Sequence, residues 1–149
     1  MFSVTFRIVF AASFTLFLAV ASAQGEALTP AQTVPDDMTW VTLPDGLQVA
    51  RIAGDLTKPG MYTVRVKFPA GLKIQPHFHS DERIVIVLEG TVYFAYGELF
   101  DEARMNALPT GSVWTEPAKQ PHFAWAKDGE AVIQVIGNGP SATTPVRLQ

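Results

Sequence analysis

The chain has 149 residues, 48% apolar and 17% charged, with a formal net charge of −3 and no cysteine. That is one domain's length and a globular composition, which excludes a disordered chain. The missing cysteine excludes disulfides, thiolate ligands, a cysteine nucleophile and a lipid-modified cysteine; the lack of a basic run speaks against nucleic acid as a partner.

Met1 to Arg7 carries one arginine beside the amino terminus, and Ile8 to Val20 is apolar except for Ser13 and Thr15. Ala21-Ser22-Ala23 then places small residues at the −3 and −1 positions of a cut before Gln24, the layout of a secretory signal. Its apolar core of about 13 residues is short for a hydrocarbon layer of roughly 30 Å, so residues 1–23 read as a cleaved signal and not as an anchor. The expected location is periplasmic or secreted, with no stable membrane anchor after cleavage.

Residues 24–38, with Pro30 and Pro35, read as an extended arm, and residues 39–149 as one domain. Strand character begins at Thr39–Leu43, and after the turn signal Pro44-Asp45-Gly46 it resumes at Leu47–Val49. In Tyr62–Phe68, Tyr62, Val64, Val66 and Phe68 alternate with Thr63, Arg65 and Lys67, the period of a strand. Arg83–Leu88 contains the run Ile84-Val85-Ile86-Val87, and Glu89-Gly90 turns it into Thr91–Tyr96 as a hairpin. Phe100–Leu108 is rich in helix formers and predicts a helix of about two turns. Ser112–Thr115, Phe123–Ala126 and Ala131–Ile136 read as further strands, followed by a polar tail. Many short strands between Gly/Pro turns indicate an all-β sandwich or barrel.

The three histidines are His77, His79 and His122. Residues i and i+2 of a strand point to the same face, so His77 and His79 can reach one ion together. A barrel can bring His122 beside them. Imidazole suits Zn, Cu, Fe and Ni in an open three-ligand site, and the expected ion is one of Fe, Zn, Mn, Cu or Ni, although H-x-H also arises by chance, with buried or surface histidines as the ordinary outcome. The surroundings change that balance: Gly71 stands six residues before His77, Gly90 eleven after His79, Gly111 six before Pro117, and His122 five after Pro117.

These two segments, Gly71–Gly90 and Gly111–Ala126, resemble the paired motifs of the cupin superfamily, over roughly Tyr62 to Gly137. The resemblance implies a cupin-type conical β-barrel, or double-stranded jelly roll, with one divalent transition metal ion on His77, His79 and His122. It also implies a homodimer, since small barrels of that superfamily often pair. Three positions depart from the motifs. Arg83 occupies the place of the glutamate ligand, with Glu82 one residue early. Lys119 replaces a glycine, and Ala126 an asparagine. A one-residue shift reverses the face of a strand, so Glu82 should point away unless a bulge re-aims it. Arg83 should then face the cavity, paired with an internal acid such as Asp81 or clamping the carboxylate of a substrate. Tyr62, Phe78, Tyr93, Phe123 and Trp125 read as core aromatics, Trp114 and Tyr96 as pocket walls, and Glu98 and Glu116 as solvated acids.

The resulting expectation is an exported metal-binding cupin, a small metalloenzyme of the dioxygenase, isomerase or lyase kind. It acts on a small organic molecule, acidic if Arg83 meets it. The alternative is a non-enzymatic module that binds metal or a small ligand. No catalytic residue is evident. Mass spectrometry of protein from its native host should find an amino terminus at Gln24; a full-length cytoplasmic species would contradict the export reading.

Overall fold

Alternation along the longest strands sets the architecture. In β3 (Gly60–Phe68), Tyr62, Val64 and Phe68 are buried while the residues between them are not. β5 (Arg83–Glu89) buries Val85 and Val87, and β6 (Thr91–Tyr96) buries Val92 and Phe94. Each strand therefore offers one apolar face, and two such sheets close over each other. These elements belong to a computed structural model that describes Gly25 and residues 27–147. The expected signal over residues 1–23, with its cut before Gln24, lies outside the described residues. Among the described residues no helix is long and apolar enough to cross a membrane.

The remaining strands are β1 (Val41–Thr42), β2 (Gln48–Ala53), β4 (Lys73–His79), β7 (Asn106–Pro109), β8 (Val113–Glu116), β9 (His122–Trp125), β10 (Ala131–Gly139) and β11 (Thr143–Pro145). A six-stranded sheet runs β1-β2-β3-β10-β5-β8, and a five-stranded sheet runs β11-β4-β9-β6-β7. The paired strands are antiparallel. The larger sheet gives the core Tyr62, Val64, Phe68, Val85, Val87, Trp114, Ile133 and Val135. Facing them are Val92, Phe94 and Ala124 of the smaller sheet. The expected all-β jelly roll is what forms, but its two sheets stay separate and do not close into one continuous barrel. Near one end the Tyr96 hydroxyl donates to the Thr115 carbonyl and ties β6 to β8.

Three local expectations are corrected. The arm carries a single 3-10 turn at Pro35–Asp37. Phe100–Leu108 forms no two-turn helix: Asp101 caps one 3-10 turn at Glu102–Arg104, and Asn106–Pro109 becomes β7. Pairing with β6 sets Leu108 opposite Val92 and packs it on the core, so tertiary contact overrides helix propensity. The polar tail contains a strand, β11, paired with β4.

The alternation of β5 is directly testable. Val85→Ala, at a fully buried position, should destabilise the protein by about 2 kcal/mol or more. Ile84→Ala, at a position 48% exposed, should change stability by less than about 0.5 kcal/mol. Urea denaturation of both variants checks the assignment, and the reverse order would mean that β5 presents its other face to the core.

Candidate metal centre

β4 sends Ile74 toward the core, and strict alternation from there would turn Pro76 and Phe78 inward and both histidines outward. A bulge prevents this. Against β9, Ile74 pairs with Ala124 and His77 with His122, so three steps on β4 oppose two on β9. The irregularity spans Gln75–Pro76, where Pro76 has no amide hydrogen to give to the ladder. Beyond it, His77 lies directly across from His122 at the start of β9, and His79 pairs with Thr143 of β11.

The turn between β8 and β9 completes the arrangement. Lys119 adopts φ 62° where the cupin motif has glycine, and its amide donates to the His79 carbonyl at 2.8 Å. Left-handed backbone at a residue with a Cβ costs roughly 1–2 kcal/mol, which accounts for the motif's glycine. Ala126, in place of the motif's asparagine, is fully buried among apolar neighbours, where an asparagine side chain would need partners.

The ring centroids of His77, His79 and His122 lie 4.8, 4.4 and 5.1 Å apart, and one nitrogen from each ring falls within 4.8 Å of the others. His79 and His122 are buried and His77 is half-buried. His77 Nδ1–H donates to the Gln75 carbonyl (2.8 Å) and His122 Nδ1–H to the Gln120 carbonyl (3.0 Å). A carbonyl only accepts, so each of these neutral rings keeps its lone pair on Nε2. His79 Nδ1 is held by the Thr143 hydroxyl at 3.1 Å. Partners that fix tautomer and ring orientation in this way are what metal-ligating histidines use, so the residues present fit a transition-metal ion.

The structure turns Arg83 inward, as expected, from a different sheet than His79. His79 ends a strand of the smaller sheet and Arg83 begins one of the larger, and the inward direction follows from alternation with Val85 and Val87. Arg83 Nε donates to Asp81 Oδ1 (3.4 Å), Nη2 donates to Ser141 Oγ, and Nη1 lies 4.0 Å from Glu116 Oε2. Asp81 is buried and accepts from the Tyr62 hydroxyl at 2.6 Å. Gly137 permits that contact, because a Cβ there would collide with Tyr62 and Asp81. Glu82 is exposed, at the rim of a neighbouring concavity.

Glu116 is the main residue that sequence reasoning misplaced. It is 6% exposed, not solvated, with Oε2 3.6 Å from His79 Nε2 and Oε1 3.5 Å from His122 Nε2. Trp114 Nε1 donates to Oε1 at 3.0 Å. Trp114 is a core residue more than a pocket wall, although its ring packs on Phe94, which in turn lies against His122. Tyr96 is 38% exposed, and Glu98 is exposed as expected. Of the other aromatics Tyr62 and Phe123 are buried, while Phe78, Tyr93 and Trp125 are half-buried. A concavity of about 500 Å³ lies beside the network; its lining includes Arg83, Glu116, Met61, Ile84 and Ile136, but none of the imidazoles.

Burial pushes all three histidines below the usual imidazole range. His79 falls furthest, to about 2, with Arg83 adding to the effect of burial. Burial raises Glu116, against the Trp114 hydrogen bond and Arg83. Tyr62 is pushed up to about 12 by burial and by its bond to Asp81.

A double-sheet jelly roll with three inward imidazoles on β4 and β9 defines a cupin. More narrowly, the chain belongs to the ChrR cupin-like domain family, which residues 29–142 match. No curated protein matches it in sequence. Among solved structures it is similar to KdgF from Halomonas sp., with 22% identity and a TM-score of 0.60 over 80% of this chain and 96% of that one. It is similar to the polyketide cyclase RemF from Streptomyces resistomycificus, with 16% identity and a TM-score of 0.67 over 81% and 88%. Salicylate 1,2-dioxygenase from Pseudoaminobacter salicylatoxidans, solved with gentisate, gives 15% identity and a TM-score of 0.57 over 69% of this chain and 30% of that one. At these identities the likeness is one of fold.

The buried neutral rings make stability depend on pH. Below about pH 6.5 the unfolded chain's histidines take up protons that the folded rings refuse, so stability falls as pH falls, by up to about 1.4 kcal/mol per unit for each ring. Glu116, with its raised folded pKa, acts in the opposite sense but is one group against three. Thermal melts of metal-free protein should therefore show Tm dropping from pH 7 to pH 5.5. A flat or rising Tm would mean that the rings are solvated.

Proposed function

We propose that His77, His79 and His122 together hold one divalent transition metal ion, and that the protein is a small exported metalloenzyme acting on a small organic molecule. The observation that carries this reading is the convergence of three imidazoles, two with Nδ1 committed to backbone carbonyls. Similarity in fold to a polyketide cyclase and a dioxygenase supports an enzymatic role. A bound ion would act as a Lewis acid toward an oxygen of the substrate.

The chain's own residues supply the rest. Phe94, packed on Trp114, lies against the His122 ring on the core side, while His77 is only half-buried. Arg83, held by Asp81 and Ser141 and turned inward beside Glu116, is oriented to meet the carboxylate of an acidic substrate. The reaction belongs with the dioxygenase, isomerase or lyase chemistries of cupins. Pairing of two copies belongs to the same reading, supported by exposed Met61, Ile84 and Val113 on the outer face of the larger sheet. One observation favours the alternative of a non-enzymatic binding module: the guanidinium of Arg83 already has internal partners. Turnover of small carboxylates by metal-loaded protein separates the two.

Titration of Zn2+ and Mn2+ into purified protein should give one ion per chain. His77→Ala, His79→Ala and His122→Ala should each weaken binding by about a hundredfold or more, since removal even of a ligand's supporting partner commonly loses 10–100-fold. Wild-type binding that survives His122→Ala would remove the basis of this assignment.

A further inference from the structure

The carboxylate of Glu116 stands in an unusual relation to the imidazoles. Its oxygens lie 3.5 Å from His122 Nε2 and 3.6 Å from His79 Nε2, beyond an ordinary N–H···O hydrogen bond. At His122 there is no proton to share, because Nδ1–H is donated to Gln120 and Nε2 carries the lone pair. With Glu116 ionised, two acceptors face each other there, a repulsive arrangement unless something positive lies between them. Two donors each about 2.1 Å from one ion are separated by roughly 3.4 Å at a tetrahedral angle. The spacing of Glu116 from both rings is close to that value.

Strand register explains how the carboxylate reached this place. Arg83 occupies the position of the cupin glutamate on β5, and its direct cross-strand partner on β8 is Glu116. Trp114 and Glu116 are both buried on β8, with Thr115 exposed between them, so the strand's alternation aims Glu116 inward beside the core indole. The Trp114 N–H then holds Oε1, while Oε2 faces both His79 and Arg83. Arg83 does not meet the ion position bare; the carboxylate stands between, and Asp81 balances the guanidinium from the other side.

Building on the three-histidine reading, we propose that Glu116 is the fourth protein ligand of the metal, an anionic donor moved one strand over from its usual cupin position to β8. The site is then His77, His79, His122 and Glu116, with Arg83 as the counter-ion behind the carboxylate. Such a site carries one unit less positive charge than three histidines alone and leaves fewer open positions for substrate.

The test compares wild type, Glu116→Gln and Glu82→Gln by titration with Zn2+ and by the visible spectrum of the Co2+ forms. Glu116→Gln should lose at least about tenfold in Zn2+ affinity and change the Co2+ ligand-field bands, while Glu82→Gln, altered at an exposed neighbour, should match wild type. Unchanged affinity and spectrum in Glu116→Gln, with wild-type binding still dependent on the histidines, would overturn the proposal and leave the three-histidine site standing. No binding by wild type would overturn both. If Glu116→Gln does not fold, a crystal structure of Zn2+-loaded wild type decides: a Glu116 oxygen about 2.0–2.2 Å from zinc supports the ligand role, and one beyond about 3 Å rules it out.

Discussion

Strand β4 must serve two purposes on one inner face, and a regular strand cannot do both. Ile74 seals the core, and His77 and His79 must point the same way at an odd number of residues further on. The bulge at Gln75–Pro76 changes the phase between them. Proline is suited to that place, because a bulge leaves a ladder position unpaired and proline has no amide to pair. The rest of the site is hung on this irregularity. It sets His77 opposite His122, and β11 then holds His79 through Thr143.

Electrostatics sets the second constraint. The inner face near the histidines gathers Arg83, Asp81, Glu116 and the Tyr62 hydroxyl, all wholly or largely withdrawn from water. Isolated charges there would be very costly, but each has a partner. Tyr62 and Arg83 share Asp81, Ser141 takes a further guanidinium hydrogen, and Trp114 donates to Glu116. Among the described residues no side-chain nitrogen or oxygen wholly shut off from solvent lacks a hydrogen bond. The network joins β3, β5 and β8 of the larger sheet to the imidazoles of the smaller one, so the candidate site sits where the two sheets meet.

Much of this was legible in the sequence because strands declare themselves by alternation. Tyr62–Phe68 and Arg83–Leu88 show their faces directly, and the two histidine segments suggest the double-sheet fold by themselves. The inward direction of Arg83 was legible too, and it arises from alternation with Val85 and Val87. Less legible was anything decided by partners distant in sequence. Asn106–Pro109 has helix-forming neighbours, yet it becomes a strand because β6 offers an edge. Thr143–Pro145 has little strand character of its own and is recruited by β4. Glu116 resembled a surface acid because glutamate usually is one. Its parity with Trp114 across four residues was the available signal, too short to weigh until β5 and β8 were seen paired.

The central claim is that three imidazoles from β4 and β9 share one metal ion. X-ray absorption at the metal edge, on protein isolated from its native host without added metal, addresses it most directly. The account predicts a first shell at about 2.0–2.2 Å with the multiple-scattering pattern of three imidazoles. A metal-free protein, or a bound ion whose shell lacks imidazole scattering, would contradict it.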